Sequence, residues 1–264
     1  VKGSWVKSDN DLQIAKSEEE GGFEPDPNSN QFIYHEQVLA AYGNYKTKVG
    51  SKLDLQAGLR TEYSDILGNS VTMNRRNVQQ YLDFFPSISL QQKVSDNYQI
   101  GYTLNRRITR PNYRLLNPFI FYIDPLTVEQ GNPNLTPQYA TNLEMNHTIK
   151  GMYQVSLGYA RTENAFGQIM VQDDETRRTA IQIQNLDVTT NLNLRLIVPV
   201  EFAPWYTTNH TLQVSNNTFQ SQLGSEMLDV SQVSVMARTQ HNLSFSKGWK
   251  VEVVGMYLSR NRFG

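Results

Sequence analysis

The chain has 264 residues, with 24 Lys and Arg against 25 Asp and Glu, a formal charge of -1, no cysteine and 39% hydrophobic residues, at a mean hydropathy of -0.51. The lack of cysteine excludes disulfides, thiolate metal sites and cysteine nucleophiles together, and the balanced charge leaves no basic stripe for nucleic acid. Neither a secretory leader at Val1 nor a transmembrane helix of about 18 apolar residues is expected, but a membrane barrel survives, because its strands need only every second side chain to be apolar.

The first clear alternation sets Leu53, Leu55, Ala57, Leu59 and Tyr63 against Asp54, Gln56, Gly58, Arg60 and Glu62. Further along, Phe84, Pro86, Ile88 and Leu90 oppose Ser87, Ser89 and Gln91, with Phe85 breaking the polar side. Tyr98, Ile100, Tyr102 and Leu104 then oppose Gln99, Gly101, Thr103 and Asn105, and Tyr153, Val155, Leu157 and Tyr159 oppose Gln154, Ser156, Gly158 and Ala160. Leu192, Leu194 and Leu196 alternate with Asn191, Asn193 and Arg195. Successive strand side chains point to opposite faces, so each segment has one apolar and one polar side. The fold is predicted to be all-β.

Short turns are expected near residues 49–51, 95–97, 150–151, 203–204 and 246–248, which hold turn-favouring Gly, Pro, Asn and Asp. Longer polar loops are expected at 16–30, 67–76, 112–137, 173–178 and 220–227. Turns and loops alternate and delimit about eleven strands, many longer than the roughly 5–6 residues usual in soluble sheets. Short turns at one end and long loops at the other describe an antiparallel transmembrane β-barrel. A soluble β-sandwich is the alternative, but a solvated sheet face carries Lys and Glu, and this one is Gln, Asn, Ser, Thr and Gly. Tyr98, Tyr153, Tyr159, Trp205, Tyr206, Trp249 and Tyr257 are placed near strand ends, where an aromatic body with a polar handle suits the headgroup level. About five outward apolar side chains at ~2 kcal/mol each give roughly 10 kcal/mol per strand on burial in lipid.

Around the longest loop the chain becomes recognisable. Arg106-Arg107-Ile108-Thr109-Arg110-Pro111, Leu116-Asn117-Pro118-Phe119, Tyr122-Ile123-Asp124-Pro125 and Gly131-Asn132-Pro133-Asn134-Leu135-Thr136-Pro137 resemble the outer-membrane β-barrel family that forms the C-terminal part of TonB-dependent receptors. Glu36 to Tyr42, Gly58 to Tyr63, Phe84 to Ser87, Gln172 to Thr176 and Gln184 to Asp187 extend the likeness over nearly the whole chain. The resemblance implies a barrel of about 22 strands in the outer membrane of a Gram-negative bacterium, with a plug domain inside and energy delivered through TonB. Residues 1–264 then read as a single barrel-domain fragment with the plug domain and the closing C-terminal strands absent, the sequence ending at Arg262-Phe263-Gly264. Its partners would be outer-membrane lipid, an extracellular solute of unknown identity and, via the missing N-terminal regions, the TonB system.

Chemistry is sparse in the residues themselves. His35, His147, His210 and His241 show no metal-ligand spacing and read as wall residues. No nucleophile elbow occurs, so neither catalytic residues, nor a metal, nor a cofactor is expected. The acidic groups Glu18-Glu19-Glu20 with Asp26, and Asp173-Asp174-Glu175, lack the spacing of a calcium loop and read as solvated. Residues 112–137 form a connection long enough to suggest a task, stiffened by Pro118, Pro125 and Pro133. Phe119, Phe121 and Tyr122 either fold onto the barrel rim or join Asn117 and Asp124 as a ligand vestibule. Arg60 and Arg107 are further ligand candidates on the polar lumen wall. The leading expectation is import of a scarce solute such as a siderophore, glycan or peptide. A surface adhesion or assembly barrel and a soluble carbohydrate-binding module are the alternatives.

Overall fold

The computed structural model describes residues 1–17, 22–25, 29–173, 177–223 and 226–260. Its strands are β1 (Lys2–Leu12), β2 (Ala15–Ser17), β3 (Phe23–Pro25), β4 (Asn30–Val49), β5 (Leu53–Ser70), β6 (Arg75–Ser95), β7 (Tyr98–Thr109), β8 (Ile120–Tyr122), β9 (Thr127–Gln130), β10 (Gln138–Ile149), β11 (Tyr153–Asp173), β12 (Arg178–Ala203), β13 (Tyr206–Leu223), β14 (Glu226–Ser244) and β15 (Lys250–Leu258). A single turn of helix, α1 (Tyr113–Leu116), lies between β7 and β8. Eleven long strands run antiparallel in the order β1-β4-β5-β6-β7-β10-β11-β12-β13-β14-β15, as one sheet. One continuous sheet excludes the two-layer sandwich.

Strand lengths exceed the expectation at the loop end. β5 and β6 pair without interruption up to Ser70 and Arg75, so only residues 71–74 connect them, where a loop over 67–76 is expected from sequence. Likewise β13 and β14 pair as far as Leu223 and Glu226, shortening the loop expected over 220–227. Above the bilayer both faces of a strand are wet, so alternation disappears from the sequence while the backbone ladder continues. At the opposite end, Lys150–Gly151 and Lys247–Gly248 both have positive φ, the conformation of the primed turns whose twist suits a hairpin. Glu18, Glu19, Glu20, Asp26, Asp174, Glu175 and the terminal Arg262, Phe263 and Gly264 lie outside the described residues, as does the side chain of Asp173.

Register turns the alternation into two faces. On one face Ala57, Ile88, Leu104, Leu143, Tyr159 and Leu192 stand side by side across six strands. On the other, Gly58, Ser87, Asn105, Asn142, Ala160 and Asn191 do the same. Leu59, Leu82, Phe84, Leu143, Leu192 and Val233 are all exposed on the apolar face. An apolar wall of this extent is excluded from contact with water by the same free energy that buries a core; lipid is the solvent it fits. Tyr98, Tyr153 and Tyr206 open strands at the short-turn end, but Tyr159 lies within β11, away from either end.

The polar face is concave. A flat sheet would hold β4 and β12 about 29 Å apart, six steps of ~4.8 Å. Instead Phe32 and Tyr34 of β4, Ile66 of β5, Tyr81 of β6, Phe166 of β11 and Ile183 of β12 all pack around Leu116 and Leu135 of the long β7–β10 connection. β12 changes neighbours to make this possible. Up to Val188 it pairs with β13, whereas its upper residues Thr179 to Gln182 pair in parallel with β9, which pairs in turn with β8.

All four histidines occupy apolar-face positions, and two of them explain how polar side chains are tolerated there. Thr208 Oγ1 donates to the Val200 carbonyl at 3.4 Å and meets His210 Nε2 at 3.0 Å. Thr239 Oγ1 lies 2.9 Å from His210 Nδ1 and 2.9 Å from His241 Nε2, and Tyr206 Oη lies 2.8 Å from His241 Nδ1. With the Thr208 hydroxyl hydrogen on the Val200 carbonyl, Thr208 accepts from His210 Nε2–H, and the same direction runs back through Thr239 and His241 to the Tyr206 hydroxyl. Each of the five contacts then joins one donor to one acceptor. Phe202 and Trp205 stack on Tyr206, and Phe245 on Trp205, completing an aromatic shelf at the turn end.

Two outcomes follow for the full-length protein folded into vesicles. Leu157 faces outward and Ser156 inward, where it bonds Asn146; Leu157→Arg should lower stability by ~2–4 kcal/mol and Ser156→Arg by much less, read from urea midpoints. Thr239→Val removes the link shared by two imidazoles and should cost ~1–3 kcal/mol, with Thr239→Ser near neutral. Equal midpoints for the Val and Ser variants would refute the directed chain.

Candidate functional site

The β7–β10 connection fills a notch. β7 and β10 have 12 residues each, between β6 and β11 with 21 each, and β6 pairs with β7 only from Ser87 to Ser95. Above Ser87 the connection occupies the space that a longer pair of strands would fill. Asn112 caps α1 by accepting from Leu115 N, and Gly131 lies so close to the Asn117 carbonyl that a side chain would collide with it. The Asn77 side chain donates to the Pro133 carbonyl and Gln79 to the Leu135 carbonyl at 2.9 Å. On the far side Asn132 donates to the Ile183 carbonyl at 3.2 Å, and Asn185 exchanges bonds with the Thr136 backbone at 2.9 Å.

Arg110 fastens the start of this segment. Its guanidinium donates to Glu62 Oε2 at 2.7 Å, Ser64 Oγ at 2.8 Å and Tyr81 Oη at 3.1 Å. Glu62 is only 6% exposed and Ser64 is fully buried, so without the arginine Glu62 Oε2 would be left desolvated and lacking its donor, with only Arg60 remaining on the carboxylate. The Arg-Arg-Ile-Thr-Arg string shows three cations, but sequence alone does not reveal which of them finds a buried carboxylate 48 residues upstream.

The loop candidates divide into inner and outer members. Phe119 is 1% exposed and meets Phe121 edge-on at 6.0 Å; Asn117 is buried and accepts from Phe119 N at 3.2 Å. Tyr122 is 46% exposed with the Arg178 guanidinium 5.6 Å from its ring centre. Asp124 is exposed, and its Oδ1 accepts from Leu126 N and Thr127 N at 2.8 Å. The Leu126 bond first, and the Thr127 contacts with it, hold this carboxyl below the usual carboxylate range.

Arg60 and Arg107 meet elsewhere. Both line a cavity of about 640 Å³ with Arg106, Phe85, Ser87, Ser89, Thr103 and Asn105, where β6 and β7 part. Arg60 lies 5.0 Å over the Phe85 ring and 3.3 Å from Glu62 Oε1, and Arg106 lies 5.0 Å over Tyr139. Arg107 has no ion pair or hydrogen bond among the described residues. No carboxylate lines this cavity. Phe85, the exception to its strand's alternation, is thereby the platform for Arg60.

The model of the outer membrane protein β-barrel family matches residues 1–264. The chain belongs to this family. It is a protein of the Gram-negative outer membrane. Among solved structures it is similar to the copper transporter OprC, with a TM-score of 0.57 and 10% identity over 92% of this chain and 40% of that one. It is also similar to the siderophore receptor PirA from Pseudomonas aeruginosa, with a TM-score of 0.45 and 13% identity over 95% of this chain and 60% of that one. The chain thus spans 60% or less of these structures. A search of the curated proteins gives no match.

Arg110→Ala should therefore release residues 112–137 to proteolysis and cost about 1–3 kcal/mol, because it leaves the buried Glu62 Oε2 without its donor. Glu62→Gln, which keeps an acceptor and no charge, should cost less. A protease-resistant loop in the Arg110→Ala protein would show that the apolar cluster alone suffices.

Proposed function

We propose that the chain is the barrel portion of a TonB-dependent receptor that imports a scarce solute, a siderophore, glycan or peptide, and that the cavity of Arg60 and Arg107 receives an anionic group of that solute. The observation that carries this reading is a cavity lined by no carboxylate in which the two inward guanidiniums Arg60 and Arg107 meet, with Arg107 unengaged. Guanidinium forks bind carboxylates and other oxyanions through paired charge-assisted hydrogen bonds, and Phe85 adds an aromatic surface beside them. Tyr122 and Asp124, on the exposed side of the β7–β10 connection, offer further contacts at the mouth. Whole-chain membership in an outer-membrane barrel family supports the reading, as does the fold likeness to OprC, which is a copper transporter. Energy delivered by TonB through segments outside this chain belongs to the same proposal.

The test is uptake by cells carrying the full-length gene in a deletion background. Labelled ferric chelates, acidic oligosaccharides and peptides should reveal a solute whose uptake requires the gene and a working TonB. Arg60→Gln with Arg107→Gln should lower that uptake about tenfold or more, as expected for losing charge-assisted bonds, with normal heat-modifiable migration of the barrel. Uptake that persists without TonB, or is indifferent to both substitutions, would overturn the assignment.

A further inference from the structure

The apolar belt has a definite upper edge. From Leu53 to Tyr63 the outward side chains of β5 rise roughly 25 Å, at ~3.3 Å per residue and a tilt near 40°, the height of a barrel's lipid band. Tyr63 stands in an outward row with Gly3, Leu39 and Leu82. The next row up is Trp5, Gln37, Asp65 and Gln80, and the one above it Lys7, His35, Leu67 and Val78, each about 5 Å higher. Arg76 joins the row after that, beside Asn69.

These rows line a groove of about 500 Å³ on the outer wall, containing Trp5, Lys7, His35, Leu67, Arg76 and Val78. Its chemistry changes with height, from aliphatic and phenolic at the belt edge, through an indole that is 67% exposed, to two cations and an imidazole. Several basic side chains of the wall are engaged: Lys48 with Asp54, Lys93 with Asp96, Arg161 with Glu163, Arg60 with Glu62. Lys7 and Arg76 have no ion pair or hydrogen bond among the described residues. Both carboxylates that line the groove already have donors, Asp65 accepting from Gln80 at 3.2 Å and Glu36 from Tyr34 Oη at 3.0 Å. Unpaired cations just above a lipid band, reachable by side chains that bend toward the interface, attract anionic headgroups.

We propose that this groove binds the headgroup of a phosphorylated glycolipid of the outer leaflet, with Lys7 and Arg76 on its phosphate, His35 and Gln37 on its sugar hydroxyls, and Trp5 and Leu67 against the first carbons of its chains. The inference rests on the outer-membrane setting and on the long-loop end facing outward, and is independent of solute import. The surface that carries it faces away from the lumen and shares no residue with the Arg60–Arg107 cavity.

The full-length barrel, folded into nanodiscs containing purified bisphosphorylated lipid A and phosphatidylethanolamine, is extracted into mild detergent and its retained lipid measured by native mass spectrometry. One lipid A should remain bound to the natural protein, and retention should fall at least tenfold in the Lys7→Gln, Arg76→Gln double variant. Enzymatically dephosphorylated lipid A should be retained as poorly as phosphatidylethanolamine, and raising the salt should release lipid A from the natural protein. Equal retention by the natural and variant proteins, or equal retention of the dephosphorylated lipid, would overturn the proposal. Should the double variant fail to fold, the salt and dephosphorylation results on the natural protein decide it alone. Phosphatidylglycerol competing as well as lipid A would replace the glycolipid with a generic anionic headgroup and equally overturn it.

Discussion

A backbone inside lipid must satisfy every N–H and C=O within the protein, and the rest of this structure depends on that requirement. The chain meets it with eleven long strands whose register runs with few breaks, two shifts lying near residues 93–95 and 201–203. Once the ladder is fixed, parity assigns every side chain to lipid or lumen, and a slip of one residue would turn the whole apolar set inward. Polar groups that stay outward therefore need local partners. The chain from Tyr206 through His241, Thr239 and His210 to Thr208 supplies them by making a cross-strand network close on a backbone carbonyl.

The same requirement shapes the long connection between β7 and β10. Its backbone cannot be left unpaired against a wall, so it borrows partners from both flanks: side-chain amides of β6 on one side, and Asn185 and the free upper edge of β12 on the other. Leu116 and Leu135, with Phe32, Tyr34 and Ile66, then form a small core where the sheet would otherwise enclose only water. Arg110 and Glu62 fix the angle at which the segment leaves β7. A buried pair of this kind contributes less to net stability than to the choice of one arrangement among several compact ones.

Much of this was legible in the sequence, and the reason is that lipid imposes a period of two wherever it touches a strand. Leu157 and Ser156, or Leu104 and Asn105, could be assigned to faces by parity alone. Arg60 and Arg107 could be placed on the lumen wall in the same way, although only register shows that they share a cavity. Strand ends were not legible at Ser70–Arg75 or Leu223–Glu226, because above the bilayer no solvent difference marks the two faces. The β7–β10 connection was the least legible part. Phe119 and Tyr122 look equivalent in sequence, yet one is core and the other half exposed, since the choice is made by distant partners in β4, β5 and β12.

The lumen wall shows a second consequence of register. Asn44, Gly58, Ser87, Asn105, Asn142, Ala160, Asn191, Asn217 and Gln232 form one inward row across nine strands. Asn142 bonds Asn105 at 3.0 Å and Asn191 bonds Asn217 at 2.6 Å. A side chain at Gly58 would come within 2.5 Å of Asn44 Oδ1, and one at Gly158 in the next row within 2.5 Å of Asn193 Nδ2. The glycines thus let neighbouring amides lie flat along the wall instead of projecting into the lumen. Tyr42, Arg60 and Phe85 stand one inward row above this belt, and Arg107 one step above Asn105. Fixed positive charge therefore sits at the outer side of a neutral amide belt. For the solute proposed above, captured by charge, that order would matter: the guanidiniums would hold it at the outer side, and the amides beneath would offer many weak, interchangeable hydrogen bonds, so that binding strong enough for entry would not become binding too strong for release.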